Sequence, residues 1–125
     1  MILFVIDEDG SRGYAGSLGV PGANEDAKRI EAFIDANMTK IDELYITLDT
    51  HMAYHIAHPL YWVDKNGKHP DPFTTISQKD VINKVWTTVK PSARGWALNY
   101  VTQLAKSQRF ELTIWPEHCK IGTRG

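Results

Sequence analysis

The stretch Ile2-Leu-Phe-Val-Ile-Asp7 is apolar at five consecutive positions and ends in a carboxylate. A short apolar segment without alternation is typical of a β-strand that is covered on both faces, as in parallel sheets with helices on each side. Residues 44–48 and 112–115 are two further predicted strands, and polar side chains follow both of them. The chain is therefore predicted to be an α/β protein.

Helices are predicted between these strands. A glycine-rich loop at residues 10–22 leads to an amphipathic helix over 25–37, and a short helix is predicted over 78–86. A longer helix should begin near Pro91, a residue tolerated in a first helical turn, and end near Ser107. Its inward side chains are predicted to be Trp96, Tyr100, Val101 and Leu104. Strands that alternate with helices imply parallel pairing through right-handed crossovers, with helices above and below the sheet.

The length and charge of the chain limit the number of domains and the classes of binding partner. The 125 residues suffice for a single domain, 1–125, with one hydrophobic core. Lys and Arg number 14 and Asp and Glu 15, and this balance gives no electrostatic reason to expect nucleic acid or an anionic membrane as a partner. A small, roughly neutral ligand fits better. Cys119 is the single cysteine, and no secretory signal follows Met1, so we expect a cytoplasmic protein.

Metal-binding side chains follow two of the predicted strands. Asp49 and His51 come after the second strand, and side chains two residues apart in extended chain share a face. His118 comes after the third strand, and the carboxyl ends of parallel strands meet at one edge of the sheet. One carboxylate and two imidazoles leave positions open for water or substrate, as in catalytic metal sites. We predict that Asp49, His51 and His118 bind zinc, with iron or manganese as alternatives.

The neighbouring residues leave other interpretations open. In one alternative no metal binds: Asp49 caps a turn, and His51 and His118 are ordinary polar loop residues. Short motifs of this kind often occur in proteins without a metal. In a helical turn, His55 would be a fourth ligand or a hydrogen-bond partner of a ligand, and we favour the partner. Cys119 is predicted to pack in the core, because adjacent side chains in extended chain point in opposite directions.

Four motifs occur in order across almost the whole chain. They are Phe4-Val-Ile-Asp7; Gly16-Ser-Leu18 with Val20-Pro-Gly22; Thr47-Leu-Asp49-Thr-His51 with His55; and Trp115-Pro-Glu-His118-Cys119 with Gly122 and Gly125. In order and spacing they resemble the N-terminal portion of the isochorismatase-like cysteine hydrolases, the family of the nicotinamidases. The resemblance implies a three-layer α/β/α fold with a six-stranded parallel sheet. This chain would supply about the first three strands.

The resemblance also implies an activity, the metal-dependent hydrolysis of a small carboxamide through a cysteine thioester. Asp7 matches the aspartate that takes the proton of the nucleophile, and Asp49, His51 and His118 match the metal ligands. The family's lysine and nucleophilic cysteine match positions beyond Gly125, so this chain alone lacks the nucleophile. The alternative is a non-catalytic metal-binding scaffold or regulatory half-domain.

The predicted substrate pocket differs from that of nicotinamidases. Where those enzymes usually have Gln-Asn-Asp-Phe, this chain has Glu8-Asp-Gly-Ser-Arg12. In this pocket Arg12 would hold an anionic substrate group, and Trp62 and Phe73 would contact a ring of the substrate. In the alternative, Arg12 is a solvated surface charge and the two aromatic residues pack the loop. Apolar strands also leave a sheet edge open to pairing. We therefore expect a homo-oligomer or a second chain to complete the sheet.

Overall fold

The computed structural model describes residues 2–7, 17–107 and 110–122, with residues 3–7 and 48 described by their backbone alone. The chain forms two compact units. The first unit comprises Met1–His51 and His118–Gly125, and the second comprises Met52–Glu117. The assignment of residues 1–125 to one domain stays a prediction. None of the helices in the described ranges has the length and apolar character that a bilayer crossing requires.

The first unit contains two strands and one long helix. Strand β1 (Ile2–Asp7) pairs in parallel with β2 (Glu43–Leu48), in a register that sets Asp7 opposite Leu48. Helix α1 (Ala23–Asn37) connects the two strands and is followed by a 3-10 turn at Met38–Lys40. A strand, a helix and a parallel strand form a crossover unit.

Helix α1 begins two residues before its predicted start and ends at the predicted residue. Gly22 precedes it with φ +91, a left-handed conformation that glycine adopts without steric cost. The predicted apolar stripe, which consists of Ala27, Ile30, Phe33 and Ile34, is not buried: Ile30 and Phe33 are 41% and 48% exposed, and Ile34 is half-buried. No described residue of this helix is fully buried.

The second unit has a hydrophobic core of its own. Its strands are β3 (Trp62–Val63), β4 (Thr75–Ile76), β5 (Thr87–Thr88) and β6 (Leu112–Thr113), and the antiparallel pairs are β3 with β5 and β4 with β6. Its helices are α2 (Gln78–Ile82) and α3 (Arg94–Lys106), with 3-10 turns at Pro59–Tyr61 and Pro91–Ala93. The buried core consists of Ile56, Tyr61, Trp62, Ile76, Ala97, Val101, Leu112 and Ile114.

The helices of the second unit confirm some of the predicted bounds and side-chain positions and contradict others. The predicted start and end of the long helix are confirmed, because α3 follows the turn at Pro91 and its C-cap is Ser107. The prediction that Trp96 points inward is wrong, since it is 58% exposed and stacks on Tyr100. The short helix α2 ends four residues before the predicted Trp86.

The predicted fold, a three-layer α/β/α arrangement with a parallel sheet of at least three strands, is wrong. The described strands lie in three separate two-stranded sheets, and β6 pairs antiparallel with β4 instead of joining β1 and β2. Leu112 and Ile114 are 5% and 0% exposed in the second unit's core, and burial of their apolar surface stabilises this pairing. Pro116 has no N–H to donate, so a strand cannot continue regularly from Ile114 toward His118.

Candidate metal centre

Residues with metal-binding side chains come together in the first unit. Asp49 directly follows β2, and the backbone of His51, two residues later, forms an isolated parallel bridge. Its N–H donates to the Cys119 carbonyl at 2.8 Å, and its carbonyl accepts from the Ile121 N–H at 3.0 Å. These two hydrogen bonds hold the segment that begins at His118 beside the chain that leaves β2.

Three donor atoms converge at this bridge. A carboxylate oxygen of Asp49, a ring nitrogen of His118 and the Cys119 sulfur lie within 4.8 Å of one another. His118 and Cys119 are buried, and Asp49 is half-buried. Oxygen, nitrogen and sulfur donors together suit zinc. Zinc bonds of about 2.0–2.3 Å set tetrahedral ligand atoms roughly 3.3–3.8 Å apart, so binding would draw these donors together by up to roughly 1.5 Å.

His51 lies beside this group. Its Nε2 is 3.2 Å from Oδ2 of Asp49, and its ring meets the His118 ring edge to face with centroids 4.9 Å apart. A hydrogen bond from an imidazole N–H to a carboxylate fixes the orientation of that carboxylate. The structure thus brings the predicted ligands Asp49, His51 and His118 together. Among the described residues, however, the group that fits one ion contains Cys119 in place of His51.

Sequence reasoning missed the position of Cys119. The residue is buried, as predicted, but its sulfur lies at the cluster rather than in an apolar core. The prediction assumed extended chain, whereas Cys119 has φ +48 in the left-handed region. In that conformation the alternation of side chains is lost, and the consecutive residues His118 and Cys119 both reach the same point. The signal in the sequence was the direct adjacency of two metal-binding residue types.

The remaining predicted site residues are less informative. The backbone of Asp7 lies at the end of β1, and its role as a general base stays a prediction. Arg12 lies outside the described residues. His55 belongs to the second unit, where its Nδ1 accepts from the Ala57 N–H at 3.2 Å. Its predicted place beside the metal stays a prediction.

The two aromatic candidates have the contacts of packing residues. Trp62 is fully buried and its indole N–H donates to the Ile56 carbonyl at 2.7 Å. Phe73 is 60% exposed and meets the Trp115 ring edge to face at 5.8 Å. Their roles in substrate binding stay predictions.

Comparison with known proteins identifies no relative, because no protein-family model, curated protein or solved structure matches the chain significantly. The candidate site therefore depends on the geometry of its own residues.

Proposed function

We propose that this chain carries the metal centre of a nicotinamidase-like cysteine hydrolase, an amidase that cleaves a small carboxamide. The observation that supports the proposal is the approach of Asp49, His118 and Cys119 to within 4.8 Å of one another. Each contributes a different donor element, and two of the three side chains are buried. The left-handed conformation of Cys119 adds support, because such backbone strain is often retained at functional sites.

The donor set favours zinc over the alternatives. A thiolate is a soft ligand that suits zinc and iron better than manganese, so Cys119 makes manganese the weakest candidate. Three protein ligands leave the fourth position of zinc open, as in catalytic sites. The ion would supply a Lewis acid that polarises the substrate carbonyl. His51 would orient the Asp49 carboxylate through their 3.2 Å contact.

The proposed reaction needs groups besides the metal ligands. Asp7 would accept the proton of a cysteine thiol and the thiolate would attack the amide carbon. Asp7 would then pass that proton to the amide nitrogen, so that the C–N bond breaks and ammonia leaves as the thioester forms. Water then releases the carboxylic acid and restores the thiol. The resemblance assigns that cysteine, and a lysine that stabilises negative charge, to positions beyond residue 125. A cytoplasmic location suits the proposal, because reducing conditions keep thiols available.

A non-catalytic zinc scaffold is the second candidate function. It is favoured by the proximity of His51, whose ring lies 4.9 Å from the His118 ring. If His51 binds the ion together with Asp49, His118 and Cys119, four protein ligands close the site. Closed four-ligand sites are typical of structural zinc.

Zinc stoichiometry tests the metal centre. We expect the purified chain to retain about one equivalent of zinc after dialysis, and His118→Ala to retain almost none. His69→Gln is a matched control, because His69 is an exposed histidine of the second unit. Equal zinc content in the wild type, His118→Ala and His69→Gln would refute the ligand assignment.

Ammonia release separates the enzyme from the scaffold. The protein should be isolated through an N-terminal tag under native conditions, together with any polypeptide that completes it, loaded with zinc and offered nicotinamide and other small amides. If the protein is the proposed enzyme, it should release ammonia from an amide, and this activity should be lost in His118→Ala and kept in His69→Gln. Full zinc occupancy without turnover on any amide would support the scaffold instead.

A further inference from the structure

The second unit contains a cavity that none of the proposed chemistry uses. Its volume is about 600 Å³, within the range of roughly 300–1,000 Å³ that is usual for small-molecule pockets. Its lining includes the apolar side chains of Trp62, Val81, Ile82 and Leu98. Trp62 is fully buried, whereas Ile82 is 56% exposed. The cavity therefore extends from the unit's core to its surface.

Among the described residues, three cationic side chains share this lining and no carboxylate does. They are Lys65, Lys84 and Arg94. In the part of the chain that the structure describes, none of the three makes an ion pair, whereas Lys68 pairs with Asp71 at 3.3 Å. Like charges around one apolar opening repel each other and attract an anion, since no carboxylate among the lining residues that the structure describes balances them.

The backbone at Lys84 strengthens this inference. The Lys84 N–H donates to the Val81 carbonyl at 3.2 Å and the Val85 N–H to the Asp80 carbonyl at 2.9 Å, the two hydrogen bonds of a Schellman motif at the end of α2. Lys84 occupies the left-handed position of this motif with φ +59. Glycine is usual there, because a side chain strains that conformation. The chain tolerates this strain at a position where the side chain adds a cation to the cavity.

We propose that this cavity binds a small amphipathic anion, an aromatic or branched carboxylate whose apolar body contacts Val81, Ile82 and Leu98. The carboxylate lies among Lys65, Lys84 and Arg94 at the opening. Arg94 offers planar paired donors that match a carboxylate. The proposal is independent of the metal centre, whose residues belong to the first unit.

The test uses 2-naphthoate, which has an apolar body and one carboxylate. We expect calorimetric binding to the full chain, with amide NMR shifts centred on Thr87, Thr88 and Leu98. The uncharged 2-naphthylmethanol should bind at least tenfold more weakly. Zinc-loaded wild type and His118→Ala should bind 2-naphthoate equally, because the carboxylate does not coordinate the metal.

Substitutions that remove single positive charges from the lining then test where the carboxylate of 2-naphthoate binds. Lys84→Gly and Arg94→Gln should each weaken binding about two- to fivefold, the scale of an exposed charge pair. Lys79→Gln is the matched control, because Lys79 is an exposed lysine of α2 outside this lining. Lys84→Gly relieves backbone strain, so its unchanged or raised melting temperature would show that weaker binding is not a loss of folding.

Four outcomes would overturn the proposal. These are no measurable binding of 2-naphthoate, equal affinity for the uncharged alcohol, equal losses in Lys84→Gly and Lys79→Gln, and loss of binding in His118→Ala. The last outcome would place the anion at the metal centre instead.

Discussion

At the scale of single residues, His51 decides what kind of metal site this is. Its Nε2 contacts Oδ2 of Asp49 at 3.2 Å, which suits a partner that orients a ligand. Loss of such a partner typically lowers metal affinity roughly 10–100-fold without abolishing binding. We therefore expect His51→Gln to retain zinc with an affinity reduced by about that factor, as measured by competition with a chelating dye.

The comparison with His118→Ala makes this prediction decisive. If His51 is a fourth ligand of a closed site, the loss in His51→Gln should approach the loss in His118→Ala. Equal losses in the two variants would contradict the role of His51 as a partner of Asp49.

Asp64 gives a second prediction at this scale. Its carboxylate accepts from the backbone N–H of Lys68 at 2.9 Å and of Asn66 at 2.8 Å. These hydrogen bonds, that of Lys68 foremost, lower the pKa of Asp64. A pKa that is lower in the folded state means that the stabilisation exists above the unfolded-state pKa and is lost as pH falls through the folded-state pKa.

Removal of this carboxylate should therefore flatten the pH profile of stability. We expect Asp64→Asn to have a lower free energy of unfolding than the wild type at neutral pH, with a difference that shrinks in acid. Urea unfolding at both pH values measures this difference. A difference that does not change with pH would contradict the role of the ionised carboxylate.

At the scale of elements, the helices could be predicted where local chemistry decides them. Pro91 fits a first turn, so the start of α3 was visible in the sequence. The early end of α2 was not visible, because its Schellman motif has Lys84 where glycine is usual. The sequence did not indicate which strand pairs with β6 either. That pairing depends on the burial of Leu112 and Ile114 against residues that are distant in the sequence.

The strained end of α2 gives a prediction about stability. Lys84→Gly should stabilise the protein by about 0.5–1 kcal/mol, because glycine removes the steric penalty of the left-handed conformation but adds unfolded-state entropy. Lys84→Ala is the control, as it removes the same charge and keeps the strain. Urea unfolding should show a gain for glycine alone, and equal stability of the two variants would contradict the strain.

At the scale of the whole molecule, exposed apolar strand residues favour assembly. Leu44, Tyr45 and Ile46 of β2 are 41%, 48% and 59% exposed. Leu44 and Ile46 share one face of the strand and Tyr45 lies on the other. Exposed apolar side chains on a strand favour association with another surface. We expect light scattering to give a mass above the 14.1 kDa of one chain, through a homo-oligomer or a second polypeptide. A single-chain mass across a wide concentration range would contradict this expectation.

The candidate site was predictable in part, and the missing part has a physical cause. The sequence indicated that Asp49, His51 and His118 bind one metal ion, because these residue types bind metals and each follows a predicted strand. Alternation in extended chain pointed Cys119 away from this group, whereas the residue has a left-handed backbone beside the bridge between His51 and Lys120. Local propensity does not report such a contact, since it joins residues nearly seventy positions apart in the chain.

X-ray absorption at the zinc edge tests the central claim, that Asp49, His118 and Cys119 bind one ion. We predict a single sulfur neighbour at about 2.3 Å together with nitrogen and oxygen neighbours at about 2.0–2.1 Å. Cys119→Ser should lose the sulfur neighbour and bind zinc more weakly. A zinc spectrum without sulfur in the wild-type protein would contradict the claim.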